Sequence, residues 1–134
     1  SPALLLLIAL GFCCPGIHGQ SLHIKVKSPK DITQLQEGQK LELECQTGRE
    51  GGVSWIRQDR RGTLHFIVTI NSMSKTTFSS DQRISPQRFE ASKHNMSFRL
   101  AVNSFTPQDE GDYFCMTIYN QMMSFSPAQP AFLP

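Results

Sequence analysis

The side chains in this sequence able to do chemistry are its cysteines, its histidines, a cluster of carboxylates and one glycan acceptor. The cysteines are the most definite. Cys13 and Cys14 follow the apolar run Ala3 to Phe12, and Pro15 and small residues lead on to Gly19. Such a run is too short for a spanning helix, which needs about twenty apolar residues, but it has the layout of a secretory h-region and cleavage site. We read residues 1–19 as a signal peptide clipped at its start, and residues 20–134 as one mature domain. The mature part then holds only Cys45 and Cys115, seventy positions apart, in a compartment that favours oxidation. Two cysteines allow one pairing. Closing a loop of that size stabilises a fold by roughly 4 kcal/mol in the chain-entropy account.

The other groups suggest less. His23, His65 and His94 are widely spaced and form no ligand pattern, so no metal or other cofactor is expected. Glu110 and Asp112 sit in an acidic turn and the serines are scattered. With no nucleophile, base and orienter in one set, we expect no enzyme and no small-molecule substrate. A net charge of +2, all of it in the mature part, is too small to point to nucleic acid. Asn95-Met96-Ser97 is an N-glycosylation acceptor placed before a strand.

The elements that hold these residues are strands. Leu22, Ile24 and Val26 alternate with His23 and Lys25, and Pro29 ends that run because it has no N–H for a ladder. Leu41, Leu43 and Cys45 share one face, and Lys40, Glu42 and Glu44 the other. Val53 to Gln58, Leu64 to Ile70, Phe98 to Val102 and Tyr113 to Tyr119 are further strand-like runs. Six or seven short strands with distant cysteines specify a sandwich or small barrel. Trp55, ten positions after Cys45, and Tyr113, two before Cys115, select the sandwich. These are the Cys, Trp, Cys order and the tyrosine corner of an immunoglobulin domain. The predicted fold class is therefore all-β, a V-type immunoglobulin sandwich of two antiparallel sheets joined by one disulfide. In V-type domains an arginine at the place of Arg88 pairs with an aspartate six before the second cysteine, which here is Asp109.

If Trp55, Tyr113 and Cys115 point inward, the period of two sends Ile56, Gln58, Phe114, Met116 and Ile118 outward on the same sheet. That set is mostly apolar where water would call for polar residues. Phe66 and Phe125, together with Leu64 and Val68, are expected to widen it, although the sequence does not fix which alternating set of Leu64 to Ile70 faces out. A contiguous apolar face predicts a partner, and two identical sheets pairing symmetrically, a homodimer, is the commonest solution. Three loops should gather at one end: Gln46 to Gly52, Asn71 to Lys75, and Tyr119-Asn120-Gln121-Met122.

Leu41-Glu42-Leu43-Glu44-Cys45-Gln46, Asp109-Glu110-Gly111-Asp112-Tyr113-Phe114-Cys115 and Ser28-Pro29 carry a family resemblance, and the tail carries more. Asn120-Gln121-Met122-Met123-Ser124-Phe125-Ser126 and the closing Pro130-Ala131-Phe132-Leu133-Pro134 resemble the CD-eight alpha chains, T-cell co-receptors of the V-type immunoglobulin superfamily. Antigen-receptor V domains carry Phe-Gly-x-Gly where this chain has Phe125-Ser126-Pro127-Ala128, which argues against an antibody or T-cell receptor. The resemblance implies a cell-surface, single-pass type I membrane glycoprotein. Its domains would pair through the sheet carrying Cys115, as a homodimer or as a heterodimer with the related beta chain. It would bind the α3 domain of class I histocompatibility (MHC) molecules and support T-cell receptor signalling. By position, Thr69, Asn71 and Ser72 of the second loop and Asn120, Gln121 and Met122 of the third would make the ligand contacts. An alternative in the same broad class is a V-type adhesion or inhibitory receptor that binds another immunoglobulin-superfamily protein.

Overall fold

The structure, a computed structural model, describes residues 23–28, 35–48, 51–80, 84 and 87–134. The segment read as a signal peptide, Pro29, and residues 49–50 of the first loop lie outside the described residues.

Among the described residues ten strands follow in chain order: β1 His23–Ser28, β2 Leu41–Gln46, β3 Val53–Gln58, β4 Leu64–Ile70, β5 Thr76–Phe78, β6 Phe89–His94, β7 Ser97–Val102, β8 Gly111–Tyr119, β9 Met122–Phe125 and β10 Gln129–Ala131. They form two antiparallel sheets. One has the order β1-β2-β7-β6; the other runs β10-β8-β3-β4-β5, with β9 also pairing to β8. The alternation of β2 accounts for its place: Leu41, Leu43 and Cys45 are fully buried, and Glu42 and Gln46 lie toward solvent. Cys45 on β2 is bonded to Cys115 on β8 across the sandwich, with Cα atoms 6.4 Å apart. Trp55, Tyr113, Phe98, Leu100 and Phe105 pack with that disulfide into one core.

The acidic segment before β8 is a single 3-10 turn, Pro107–Asp109, rather than a loop extending to Asp112. Gly111 already belongs to the strand. Its φ is +151°, and a Cβ there would stand 2.5 Å from the Gln58 carbonyl oxygen, so only glycine lets β8 meet β3 so closely. Asp109 is buried, and its carboxylate takes both guanidinium nitrogens of Arg88 while also accepting from the Thr106 N–H and hydroxyl. Its carbonyl accepts the Tyr113 hydroxyl. Burial with Asp109 close by pushes the ionisation of Tyr113 far above the ordinary phenol range, so the hydroxyl stays a donor. Arg88 stands just before β6 and Asp109 just before β8, so this cluster ties the two sheets at one end.

The last strand is broken in two. Ser126 is buried between β9 and β10; its backbone N–H donates to the Cys115 carbonyl, and its hydroxyl accepts the Cys115 N–H at 3.0 Å. Pro127, which has no N–H, follows, and pairing with β8 resumes at Gln129 opposite Tyr113. The serine hydroxyl thus satisfies the core backbone where Phe-Gly-x-Gly is absent.

Candidate functional site: the apolar sheet and its loop end

Cross-strand register fixes what the β8/β3/β4 sheet turns outward. Phe66, Ile56 and Phe114 stand in one row, and Ser54, Met116 and Phe125 in the next. Directly opposed residues share a face. The Phe114 and Phe125 rings meet edge to face, with centroids 5.8 Å apart. Ile118 pairs with Met123 further along. Phe66, Ile118, Met123 and Phe125 are each half or more exposed, at 51, 59, 57 and 50 %.

Seven of the nine residues expected on this face divide by depth. Phe66, Ile118 and Phe125 are open to solvent, and Gln58 and Phe114 are partly covered. Ile56 and Met116 differ from the expectation of open exposure, being only 1 and 7 % accessible. Neither belongs to the core cluster around the disulfide. By strand alternation they point outward, Ile56 between Phe66 and Phe114 and Met116 between Ser54 and Phe125, and they are buried all the same.

Val68 is a correction. It is buried in the core, not part of the face, because the pairing of β3 with β4 slips between Trp55 and Ile56. Trp55 faces Val68 and Ile56 faces Phe66, which leaves Ile67 as an extra, buried residue. A bulge of this kind resets the period. Leu64 and Phe66 therefore face outward on one side of it and Thr69 on the other. Met123 lies two positions before Phe125 and belongs to the same face; the alternation of β9 carried that signal.

Thr69 lies on the sheet rather than in a loop, its hydroxyl 2.8 Å from that of Ser54. The second loop is organised by Asn71, whose Oδ1 accepts the N–H groups of Met73 and Lys75, both at 2.9 Å. Lys93 of β6 donates to the Ser72 carbonyl at 2.8 Å. Asn71 therefore has its carbonyl spent internally and only its NH2 to offer. The third loop is a two-residue hairpin turn in which Tyr119 faces Met122. Asn120 and Gln121 have φ of 50° and 63°, the left-handed pair that matches the twist of the flanking strands. Among the described residues neither side-chain amide has an intramolecular partner, and both are exposed beside Met122. The first loop is tied by the Thr47 N–H to the Met96 carbonyl of the β6–β7 turn at 3.1 Å. All three loops thus lie at the end opposite the Arg88–Asp109 cluster.

The remaining candidates have structural surroundings. His65 Nε2 stands 2.9 Å from the Asp59 carboxylate in the β3–β4 turn. Asn95 is exposed in the β6–β7 turn.

Comparison with known proteins agrees with this geometry. Residues 27–129 match the immunoglobulin V-set domain. The T-cell surface glycoprotein CD8 alpha chain of Rattus norvegicus is 30 % identical over 107 residues, 78 % of this chain and 45 % of the relative. The Mus musculus CD8 alpha chain is 31 % identical over 99 residues, 69 % of this chain and 40 % of the relative. The chain thus spans less than half the length of these curated relatives. Among solved structures, that of the swine CD8aa homodimer superposes with a TM-score of 0.69 at 20 % identity, covering 83 % of this chain and 97 % of that one. Its likeness concerns the fold. The chain belongs to the immunoglobulin V-set family, and its domain is homologous to those of CD8 alpha chains.

Proposed function

We propose that this chain is the ectodomain of a T-cell co-receptor. It pairs with a second copy through the apolar sheet and uses the clustered loops to bind the α3 domain of MHC class I molecules. It works at the cell surface as the extracellular part of a single-pass type I membrane protein and carries out binding rather than catalysis. The observation that carries the reading is the patch of half-exposed Phe66, Ile118, Met123 and Phe125 on a sheet whose β8–β9 turn forms the third loop. An apolar face of this kind, left in water, favours association, and a symmetric pair would bring two copies of the loop end side by side. The relatives named T-cell surface glycoprotein CD8 alpha chain support a role at the T-cell surface, and the class I partner is what the resemblance to that family implies. Asn120 and Gln121, held out by a rigid turn with free amides, suit hydrogen bonding to a protein loop without a deep pocket.

The test is solution mass and binding of refolded residues 20–134 with soluble class I molecules of the source species. A dimer that binds saturably, and an Asn120→Ala variant weakened by more than about 1 kcal/mol, are the expected results. A monomer that dimerises only with the related beta chain would replace the homodimer by the heterodimer. A monomer without class I binding would remove the co-receptor reading in favour of an adhesion or inhibitory receptor.

A further inference from the structure

The turn joining β6 to β7 consists of Asn95 and Met96, with His94 facing Ser97 across it. Asn95 is exposed and holds a φ of 57°, which asparagine tolerates better than most residues. The sequence has four asparagines, at 71, 95, 103 and 120, and Asn95 alone is followed two positions on by serine or threonine. Two of the others are also engaged differently: Asn71 caps its own loop, and the Asn103 amide donates to the Gln87 carbonyl and to Glu90. The Asn95 carboxamide has no intramolecular partner among the described residues. Beside it a shallow groove runs over the outer face of the β2/β7/β6 sheet, lined by Gln46, Ser92, His94 and Arg99 among others. These are groups that can meet sugar hydroxyls.

We infer that Asn95 carries an N-linked oligosaccharide lying along this polar sheet, at the loop end but clear of the apolar sheet. In the transfer, the Asn95 Nδ2 loses a proton and bonds to C1 of the first sugar of a polyprenyl-diphosphate-linked oligosaccharide. The C1–O bond to phosphate breaks, and the polyprenyl diphosphate leaves. The turn's position has a consequence for recognition. The Thr47–Met96 hydrogen bond ties the turn to the first loop, and the Lys93–Ser72 bond ties the strand before it to the second, so the third loop is the one left clear of the glycan for a ligand.

The placement clear of the apolar sheet rests on the proposed pairing, whereas the modification does not. The experiment is secretion of residues 20–134 from a eukaryotic cell behind a secretion leader, with intact mass read before and after peptide N-glycosidase. Wild type and Ser97→Thr should lose the mass of an oligosaccharide and map an aspartate at position 95. Asn95→Gln should be secreted at bare polypeptide mass. Wild type secreted without added mass overturns the site. Sedimentation then tests the placement. Glycosylated wild type and Asn95→Gln should show the same association state, and a monomeric wild type beside a dimeric Asn95→Gln overturns it. If both are monomers, the homodimer reading falls and the glycan assignment, read from mass alone, stands.

Discussion

The two sheets share one core and one disulfide, yet their outer faces have opposite chemistry. On the β1-β2-β7-β6 sheet, Glu42, Ala101 and Glu90 form one outward row and Glu44, Arg99 and Ser92 another. Lys40 stands 3.6 Å from both Glu42 and Glu90. Its edge strand β6 carries Lys93 on the inward side, opposite Phe98, with the ammonium 5.8 Å from that ring. An inward charge on an edge strand discourages pairing with another chain. On the other sheet, the equivalent rows are Phe66, Ile56, Phe114 and Ser54, Met116, Phe125. Inward residues on both sheets answer to the same disulfide-centred core and so look alike. The outward residues are free of that demand, and they differ because one face meets water and the other, in our proposal, meets protein.

The sharpest way to break this contrast is to place a charge in the apolar face. Ile118→Asp puts one carboxylate per copy into the proposed contact and should weaken self-association by roughly a hundredfold, about 3 kcal/mol. Folding stability should move by less than about 0.5 kcal/mol, because Ile118 is exposed in the single chain. Ser92→Asp on the polar sheet should change neither. Sedimentation equilibrium and denaturant melts of both variants decide it, and equal behaviour of the two would dissolve the distinction between the faces. Ile56→Ala probes the layer beneath. Ile56 is buried yet outside the core, so truncation should cost about 2 kcal/mol of folding stability. A change typical of surface sites would mean that its neighbours do not bury it.

These faces were partly legible in the sequence. Trp55, Tyr113 and Cys115 set the phase of β3 and β8, and a strict period of two then placed Ile56, Phe114 and Ile118 outward without any structure. The same arithmetic failed across β4. An extra residue at Ile67 is invisible to periodicity, since Leu64 to Ile70 reads as apolar in either phase and only pairing with β3 breaks the tie. β6 was missed for the opposite reason: its inward set, Phe89, Ala91 and Lys93, fades from a large apolar residue to a charge. β5 and β10, three residues each, are too short to show alternation. Depth was not legible either. The burial of Ile56 and Met116 follows from pairing with other strands, which a strict period of two does not show.

The loop end of the apolar sheet gives a smaller effect with a stabilising sign. Gln121 holds a left-handed φ of 63°, a conformation that costs a residue with a Cβ about 1 kcal/mol relative to glycine. Gln121→Gly should therefore stabilise the fold by up to about 1 kcal/mol, reduced by the extra freedom of glycine in the unfolded chain. Class I binding should weaken at the same time if the Gln121 amide makes a contact. Thermal melts and binding on one preparation separate the two. Binding at full strength would show that the turn, rather than this side chain, is what the ligand reads.

The smallest effect concerns the opposite end of the same sheet. Asp59 in the β3–β4 turn pairs with His65 and accepts the Arg61 and Thr63 N–H groups. The hydrogen bond from His65 is the main cause that lowers its pKa from 3.8 to about 2, with the two backbone bonds adding to it. A carboxyl depressed in the folded state contributes stability that is complete above its unfolded pKa and is lost as pH falls toward the folded one. The contribution should therefore be intact at pH 5 and above and fade from about pH 4 down to about 2. Asp59→Asn removes the titration, so its stability should fall less steeply than wild type across that window. The polar sheet has no equivalent turn among the described residues. Hydrogen exchange at pH 3 should therefore show the β3–β4 hairpin opening before β2 and β7, and simultaneous opening would mean that the turn does not govern the acid response of the apolar sheet.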